Sequence, residues 1–260
     1  DMDWLTQHIE AGEDVQIRSL TNEMTVLVVA GPKARDVLSG AARGDWSDEG
    51  FKWLAVREAH VGIAPAVIMR VSFSGELAYE IAVPTAYGDA LMRKIIDVGA
   101  PHNITPYGTE ALGVMRIEKG HAAGNELNGT TTAQNLGMAR MVSKKKDSIG
   151  STLSERPGLN AANDLRQVGI QPVNPSDPVP AGAHLMNATG PVDAAHDQGY
   201  ATSACYSPIL GHSIAIGFLK DGANRMGEQM RLVSPLTGVD VKVEIVSAHF
   251  VDPEGERLRA

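Results

Sequence analysis

The alternation of hydrophobic and polar positions is most regular between Val67 and Val83. Val67, Met69, Val71 and Phe73 alternate with Ile68, Arg70 and Ser72, which is the period of a strand. Ser74-Gly75 interrupts the run. Leu77, Tyr79, Ile81 and Val83 then share one face, with Glu76, Ala78, Glu80 and Ala82 on the other. The pattern predicts two strands around a tight turn, with two carboxylates set among small residues. A carboxylate between alanines leaves room for a flat ligand that offers N–H donors. A hairpin with solvated glutamates satisfies the same pattern.

The rest of the chain divides by texture. Trp4 to Ala11 has helical spacing, Val15 to Leu20 alternates as a strand, and Thr25 to Ala30 is a continuous apolar run that suits a buried strand. Gly31-Pro32 turns the chain into a helix over Lys33 to Leu38, with Pro32 near its first position. Phe51 to Ala59 and Gly62 to Phe73 read as strands, and Thr85 to Gly99 as a helix that Gly99 stops. Thr105-Pro106 opens a further helix ending at Gly120, on which Ala111, Leu112, Met115 and Glu118 fall at i, i+1, i+4 and i+7. Arg116 lies on a neighbouring stripe. Two residues apart on a helix do not face each other, so Arg116 and Glu118 serve different partners, and an exposed arginine on an ordinary helix fits the spacing too.

Ser151 to Asp164 is rich in Ser, Gly, Asn and Pro and reads as a linker. From Leu165 onward, short strands alternate with turn residues: Val168 to Gln171, Ala183 to Ala188, Gly199 to Gly217, Gly227 to Leu232 and Val239 to Val246. The prediction is an α+β sheet domain over 1–150, a linker over 151–164 and a β-barrel domain over 165–260.

Composition removes several functions. With a net charge of −8 and Lys144-Lys145-Lys146 as its only basic run, the chain lacks the basic face of a nucleic-acid binder. The single Cys205 allows no intramolecular disulfide or thiolate metal cage, which fits a reducing, cytoplasmic setting, and nothing nearby marks it as a nucleophile. No apolar run approaches the roughly 18 residues of a membrane span. None of the eight histidines has the His-Glu-x-x-His spacing of a zinc site. With no Gly-x-Gly-x-x-Gly after a strand and no phosphate loop, a flavin- or NAD-binding half is not expected within these residues. The opening Asp1-Met2-Asp3-Trp4 implies a processed chain or a piece of a longer one.

Arg70-Val-Ser-Phe-Ser-Gly-Glu-Leu-Ala-Tyr-Glu80 resembles the Arg-x-Ser/Thr-Tyr-Thr-Gly-Glu-x-Gly-x-Glu signature of the aminomethyltransferase, or glycine cleavage T-protein, family. Val28 to Leu38 is similar to a second segment of that family. Pro106 to Leu112, Arg116 to Gly120, Thr130 to Gly137, Val142 to Gly150, Gly199 to Gly217 and Phe250 to Gly255 resemble sarcosine oxidase α subunits and sarcosine or dimethylglycine dehydrogenases. Within these matches Phe73 replaces a family tyrosine, Ala133 a proline, Asn135 an aspartate and Ser148 an aromatic residue.

The resemblance implies a tetrahydrofolate-binding sheet domain followed by a barrel. Glu80 would bind the pterin, Arg116 would support the site, Phe73 would pack against the ring, and Tyr206 would line it from the barrel. The catalytic residue is not identified, because the family aspartate lies upstream of the segment matching Trp4. The 260 residues would then be inactive alone, covering about the last two-thirds of a family domain. The implied partners are folate, an iminium derived from a small N-methyl amine, and a domain or subunit carrying FAD or FMN. The implied product is 5,10-methylenetetrahydrofolate. Alternatives are a stand-alone aminomethyltransferase or O-/S-methyl demethylase, and a non-catalytic folate-binding module.

Overall fold

The computed structural model describes residues 2–146, 148–159 and 165–260. Asp1, Asp147 of the Val142–Gly150 motif and 160–164 of the expected linker lie outside the described residues. Two compact units result. The first comprises 1–72, 76–106 and 256–260, and the second 73–75 and 107–255.

In the first unit, α1 (Met2–Gln7) precedes a four-stranded antiparallel sheet of β1 (Met24–Ala30), β2 (Val56–Val61), β3 (Ala64–Met69) and β4 (Ala78–Pro84), in the order β1-β4-β3-β2. Helices α2 (Ala34–Ala41) and α3 (Gly88–Gly99) supply Val37, Leu38, Leu91 and Ile95 to a core with Val29, Ile68, Tyr79, Ile81 and Val83. β4 forms within the predicted segment, but as an interior strand it is buried on both faces except at Glu80 and Pro84, and its ends differ. Regular pairing stops at Met69 and resumes at Ala78, so 70–77 is a wide connection and not a tight turn. Glu76 therefore lies outside the strand and pairs with Arg257 at 2.9 Å.

Four further expectations are corrected. Thr25–Ala30 is an edge strand buried on one face alone: Val29 joins the core, while Val26 and Val28 point to the face opposite to the helices and are exposed. Residues 15–20 form no strand, having no ladder partner. Pro32 and Pro106 both lie outside the helices they were expected to open, which begin at Ala34 and Thr109. The helix expected over Thr85 to Gly99 becomes α-helical only at Gly88, after a 3-10 turn over Thr85–Tyr87, and it ends at Gly99 as expected. The chain continues through Ala100–His102 and turns at Asn103, whose φ is 59°.

The second unit is organised by a closed six-stranded antiparallel barrel: β5 (Leu165–Pro172), β6 (His184–Met186), β7 (Asp197–Ser207), β8 (His212–Lys220), β9 (Gln229–Ser234) and β10 (Val239–Val246), in the order β10-β5-β8-β7-β6-β9. Val168, Ile170, Leu185, Leu219, Leu232, Val243 and Ile245 fill it. Closure leaves no free sheet edge. Helix α4 (Thr109–Lys119) belongs to this unit and packs Ile117 against Ile214 and Ile216; a short α5 (Ile149–Ser154) follows.

Gly120 ends α4 as predicted. It sits at φ 80°, and its amide and that of His121 return to the Ile117 and Arg116 carbonyls, a Schellman ending. A Cβ there would stand 2.4 Å from the Ala248 carbonyl oxygen, so only glycine fits. The substitution at Asn135 also has a physical account. Its Oδ1 accepts from Thr132, and its Nδ2 donates to the Leu165 carbonyl at 2.7 Å, a donation that an aspartate carboxylate does not make.

Candidate functional site

The two motif carboxylate and guanidinium candidates, Glu80 and Arg116, lie in different units. Glu80 is in mid-β4, paired across to Val28 and Met69 and flanked along its strand by Ala78 and Ala82. Strand alternation turns it away from the Tyr79–Ile81–Val83 face that the helices cover. It is partly exposed, and its carboxylate accepts no hydrogen bond from the described residues. A carboxylate with vacant lone pairs beside two methyl-sized neighbours can receive a planar pair of N–H donors.

Arg116 is not the solvated arginine that helix spacing alone allows. Nη1 contacts Glu126 Oε2 at 2.8 Å and the His121 carbonyl at 3.3 Å, and Nη2 donates to Ser203 Oγ at 2.7 Å. Glu126 is fully buried. It also accepts from Thr202 Oγ1 at 2.5 Å, Ser203 Oγ at 2.6 Å and the Ala123 amide at 2.9 Å. Consecutive side chains of a regular strand point to opposite faces. Thr202 and Ser203 both reach Glu126 because β7 carries a bulge: Ala201 pairs with Gly217 and Ser203 with Ile216, leaving Thr202 as the extra residue.

Burial alone would raise the Glu126 carboxyl, but Ser203, Thr202, the Ala123 amide and Arg116 outweigh it and hold the group below the usual carboxylate range. The arrangement is thus a charged pair with nearly every lone pair satisfied. Arg116 retains its Nε–H and one Nη2 hydrogen, since a guanidinium carries five donors and three are engaged.

Phe73 is exposed, and its carbonyl accepts from His121 Nδ1 at 2.8 Å; the two rings are 6.0 Å apart. His121 in turn contacts Arg116 through its own carbonyl, so Phe73, His121 and Arg116 form one local group. Burial lowers the His121 imidazole below its ordinary range against the opposing pull of the Phe73 carbonyl, with Lys119 and His249 adding to the depression. Tyr206 is 61% exposed on β7, and no hydrogen bond or ring contact among the described residues ties it to that group. Glu126 and the Thr202–Ser203 bulge escaped the sequence reading. The signal was weak: a glutamate in the polar stretch Gly124-Asn-Glu126, and two hydroxyls that alternation would have set on opposite faces.

Other motif residues are structural. Arg70 is 1% exposed. It contacts the carbonyls of Phe51, Arg259 and Ala260 at 2.8–2.9 Å and Asp48 at 2.6 Å. Cys205 is partly buried, and burial, with Glu118 nearby, pushes its thiol up to about 11, so it stays protonated at neutral pH. Among the described residues no group of three or more His, Cys, Asp or Glu side chains could hold a metal, and no helix is long and apolar enough to cross a membrane.

An antiparallel sheet unit and a closed six-stranded barrel, each carrying part of one set of motifs, define a two-part aminomethyltransferase architecture. The chain belongs to the glycine cleavage T-protein family: 1–146 match the GCVT N-terminal domain and 166–252 the glycine cleavage T-protein C-terminal barrel domain. That family binds tetrahydrofolate, and the relatives are enzymes. Sarcosine oxidase subunit alpha of Rhizobium meliloti (strain 1021) is 39% identical over 248 residues, 94% of this chain and 25% of the relative. Mitochondrial dimethylglycine dehydrogenase of Rattus norvegicus is 28% identical over 261 residues, covering all of this chain and 30% of the relative. The chain thus spans between a quarter and a third of these proteins. The crystal structure of glycine cleavage system aminomethyltransferase T from Bartonella henselae superposes with a TM-score of 0.71 at 23% identity, over 88% of this chain and 60% of that one, and shares the fold.

Proposed function

We propose that this chain is the tetrahydrofolate-binding, one-carbon-accepting part of an enzyme that demethylates an N-methyl amine such as sarcosine or dimethylglycine. The observation that carries the reading is Glu80, a half-buried carboxylate that accepts no hydrogen bond from the described residues, set between the buried Ala78 and Ala82 on the side of β4 away from the helices. It matches the chemistry of a pterin edge, which presents neighbouring N–H groups in one plane. Arg116, gripped by Glu126 and Ser203, keeps a donor edge for a carbonyl or carboxylate acceptor. Phe73, beside His121, offers a ring for packing. Tyr206 would line the site from the exposed face of β7, with no contact to the Arg116 group among the described residues.

Bound folate would supply a nucleophilic amine that accepts the one-carbon unit. The residues named here bind and orient it. The oxidation that makes an N-methyl carbon electrophilic requires an electron acceptor, and a flavin-bearing domain or subunit fills that role in this reading. The low identity to aminomethyltransferase T and the higher identity to sarcosine oxidase subunit alpha support the flavin-linked variant over a stand-alone transferase.

The test is calorimetric titration of the chain with tetrahydrofolate under anaerobic conditions. Glu80→Gln should weaken binding at least ten-fold, about 1.4 kcal/mol. Equal affinity in the folded variant would remove Glu80 from the site. In the intact enzyme the same variant should release more formaldehyde and form less methylenetetrahydrofolate while flavin reduction continues. An unchanged product ratio would separate folate binding from the fate of the carbon.

A further inference from the structure

Glu118 poses a separate question, because it is a nearly buried carboxylate with no cation assigned to it. It is 4% exposed. Its Oε1 accepts from Ser207 Oγ at 2.5 Å, and Ser207 is locked by the Leu210 amide, which donates back to Oγ at 3.1 Å. Its Oε2 accepts no hydrogen bond from the described residues. Both cations close in sequence are engaged elsewhere: Arg116 with Glu126, and Lys119 with Asp252. A buried carboxylate that keeps its charge needs a partner or a donor.

The open side of Glu118 faces a cavity of about 630 Å³, within the size range of small-molecule sites. Ala111, Val114 and Met115 of α4 form one wall, and Pro208 and Ile209 of the β7–β8 turn form the other. Glu110 lines the same cavity two helical turns away, about 12 Å along the axis. At 100° per residue, Arg116 lies some 160° around the helix from Glu118, so this face is opposite to the one that carries the Arg116–Glu126 pair. An apolar chamber with carboxylates at two points and no cation in its lining repels anions, including the glutamate tail of a folate.

We infer that this cavity is a binding site for small organic cations, taking a protonated amine at Glu118 with an apolar body packed between Met115 and Ile209. The inference does not depend on the folate reading.

The probe is benzylamine, compared with the uncharged isostere benzyl alcohol, on the 260-residue chain carrying ¹³C-methyl methionine, with the Met115 signal assigned through Met115→Leu. Benzylamine should move the Met115 methyl and bind at least ten-fold tighter than benzyl alcohol. Glu118→Gln, which preserves an acceptor for Ser207, should erase that preference. Equal binding of the two probes to the unmodified chain overturns the proposal without any variant. So does a Met115 signal that stays fixed at saturating benzylamine. Undiminished amine preference in a folded Glu118→Gln chain overturns it as well.

Discussion

Two arginines from family-like motifs, one in each unit, are used in opposite ways. Arg70 in the sheet unit is enclosed and engaged by backbone: its guanidinium holds the carbonyls of Phe51, Arg259 and Ala260 together with Asp48. Arg116 in the barrel unit is gripped along one edge by Glu126 and Ser203 and keeps donors on the other. A carbonyl cage uses the arginine as a tie between distant chain segments. A carboxylate clamp fixes direction and leaves capacity over. Motif membership therefore does not separate structural from ligand-facing arginines; the reach of the unused donors does, since the unused Nε–H of Arg70 is buried and that of Arg116 is not.

The sharpest way to break this comparison is Arg70→Ala. It leaves the carbonyls of Phe51 and Arg259 without their donor, while Arg35 still holds Asp48 and the Ala260 carbonyl at 2.7 Å, and with the lost packing of a buried side chain it should cost about 4 kcal/mol, at roughly 1–3 kcal/mol for each unsatisfied buried group. All three tryptophans, Trp4, Trp46 and Trp53, lie in the sheet unit, so a urea titration followed by their fluorescence reads this unit selectively. A midpoint unchanged from the parent would mean that Arg70 is no tie.

Glu126→Ala should come next, at about 3 kcal/mol, because Arg116 is then left charged and mostly enclosed. Hydrogen exchange of the β7 and β8 amides would report it. If Arg116 merely supports the barrel, tetrahydrofolate affinity should survive in the fraction that stays folded. If Arg116 is an oriented ligand, affinity should fall with the clamp.

Acidification offers a smaller and graded probe of the same region. The Glu126 carboxyl is depressed in the fold, so the unfolded chain takes up its proton first as pH falls, and the associated stability is lost through the folded-state range. His121 is also depressed, so below its ordinary value of 6.5 the unfolded chain binds a proton that the fold refuses, and stability drops again. His121→Asn keeps an N–H for the Phe73 carbonyl and should flatten the loss nearer neutrality. Glu126→Gln should flatten the acid part. Each group contributes at most about 1.4 kcal/mol per pH unit, and thermal midpoints between pH 7 and 4 would show which slope each substitution removes.

The smallest effect is expected at Tyr206. At 61% exposed and without a tie to the Arg116 group, Tyr206→Ala should change stability by no more than about 0.5 kcal/mol. A folate affinity that dropped ten-fold in that variant would give the tyrosine a role that its surroundings do not suggest.

Much of the architecture followed from local pattern. Alternation located β4, the turn-rich texture after Leu165 identified the barrel, and a glycine after a helical run located the end of α4. These features are set by neighbours two to four residues apart, within reach of sequence periodicity. What only the folded chain decided were the long-range choices. Val26 and Val28 are exposed because they lie, with Glu80, on the sheet face opposite to the helices, whereas Val29 on the same edge strand is buried beneath them. Arg70 became a tie because its acceptors at Arg259 and Ala260 are almost two hundred positions away. Arg116 found Glu126 ten residues on and Ser203 eighty-seven on, across a bulge that inverted the expected facing of one hydroxyl. A buried charge takes whichever partner tertiary packing brings within about 3 Å, and no local period encodes that meeting.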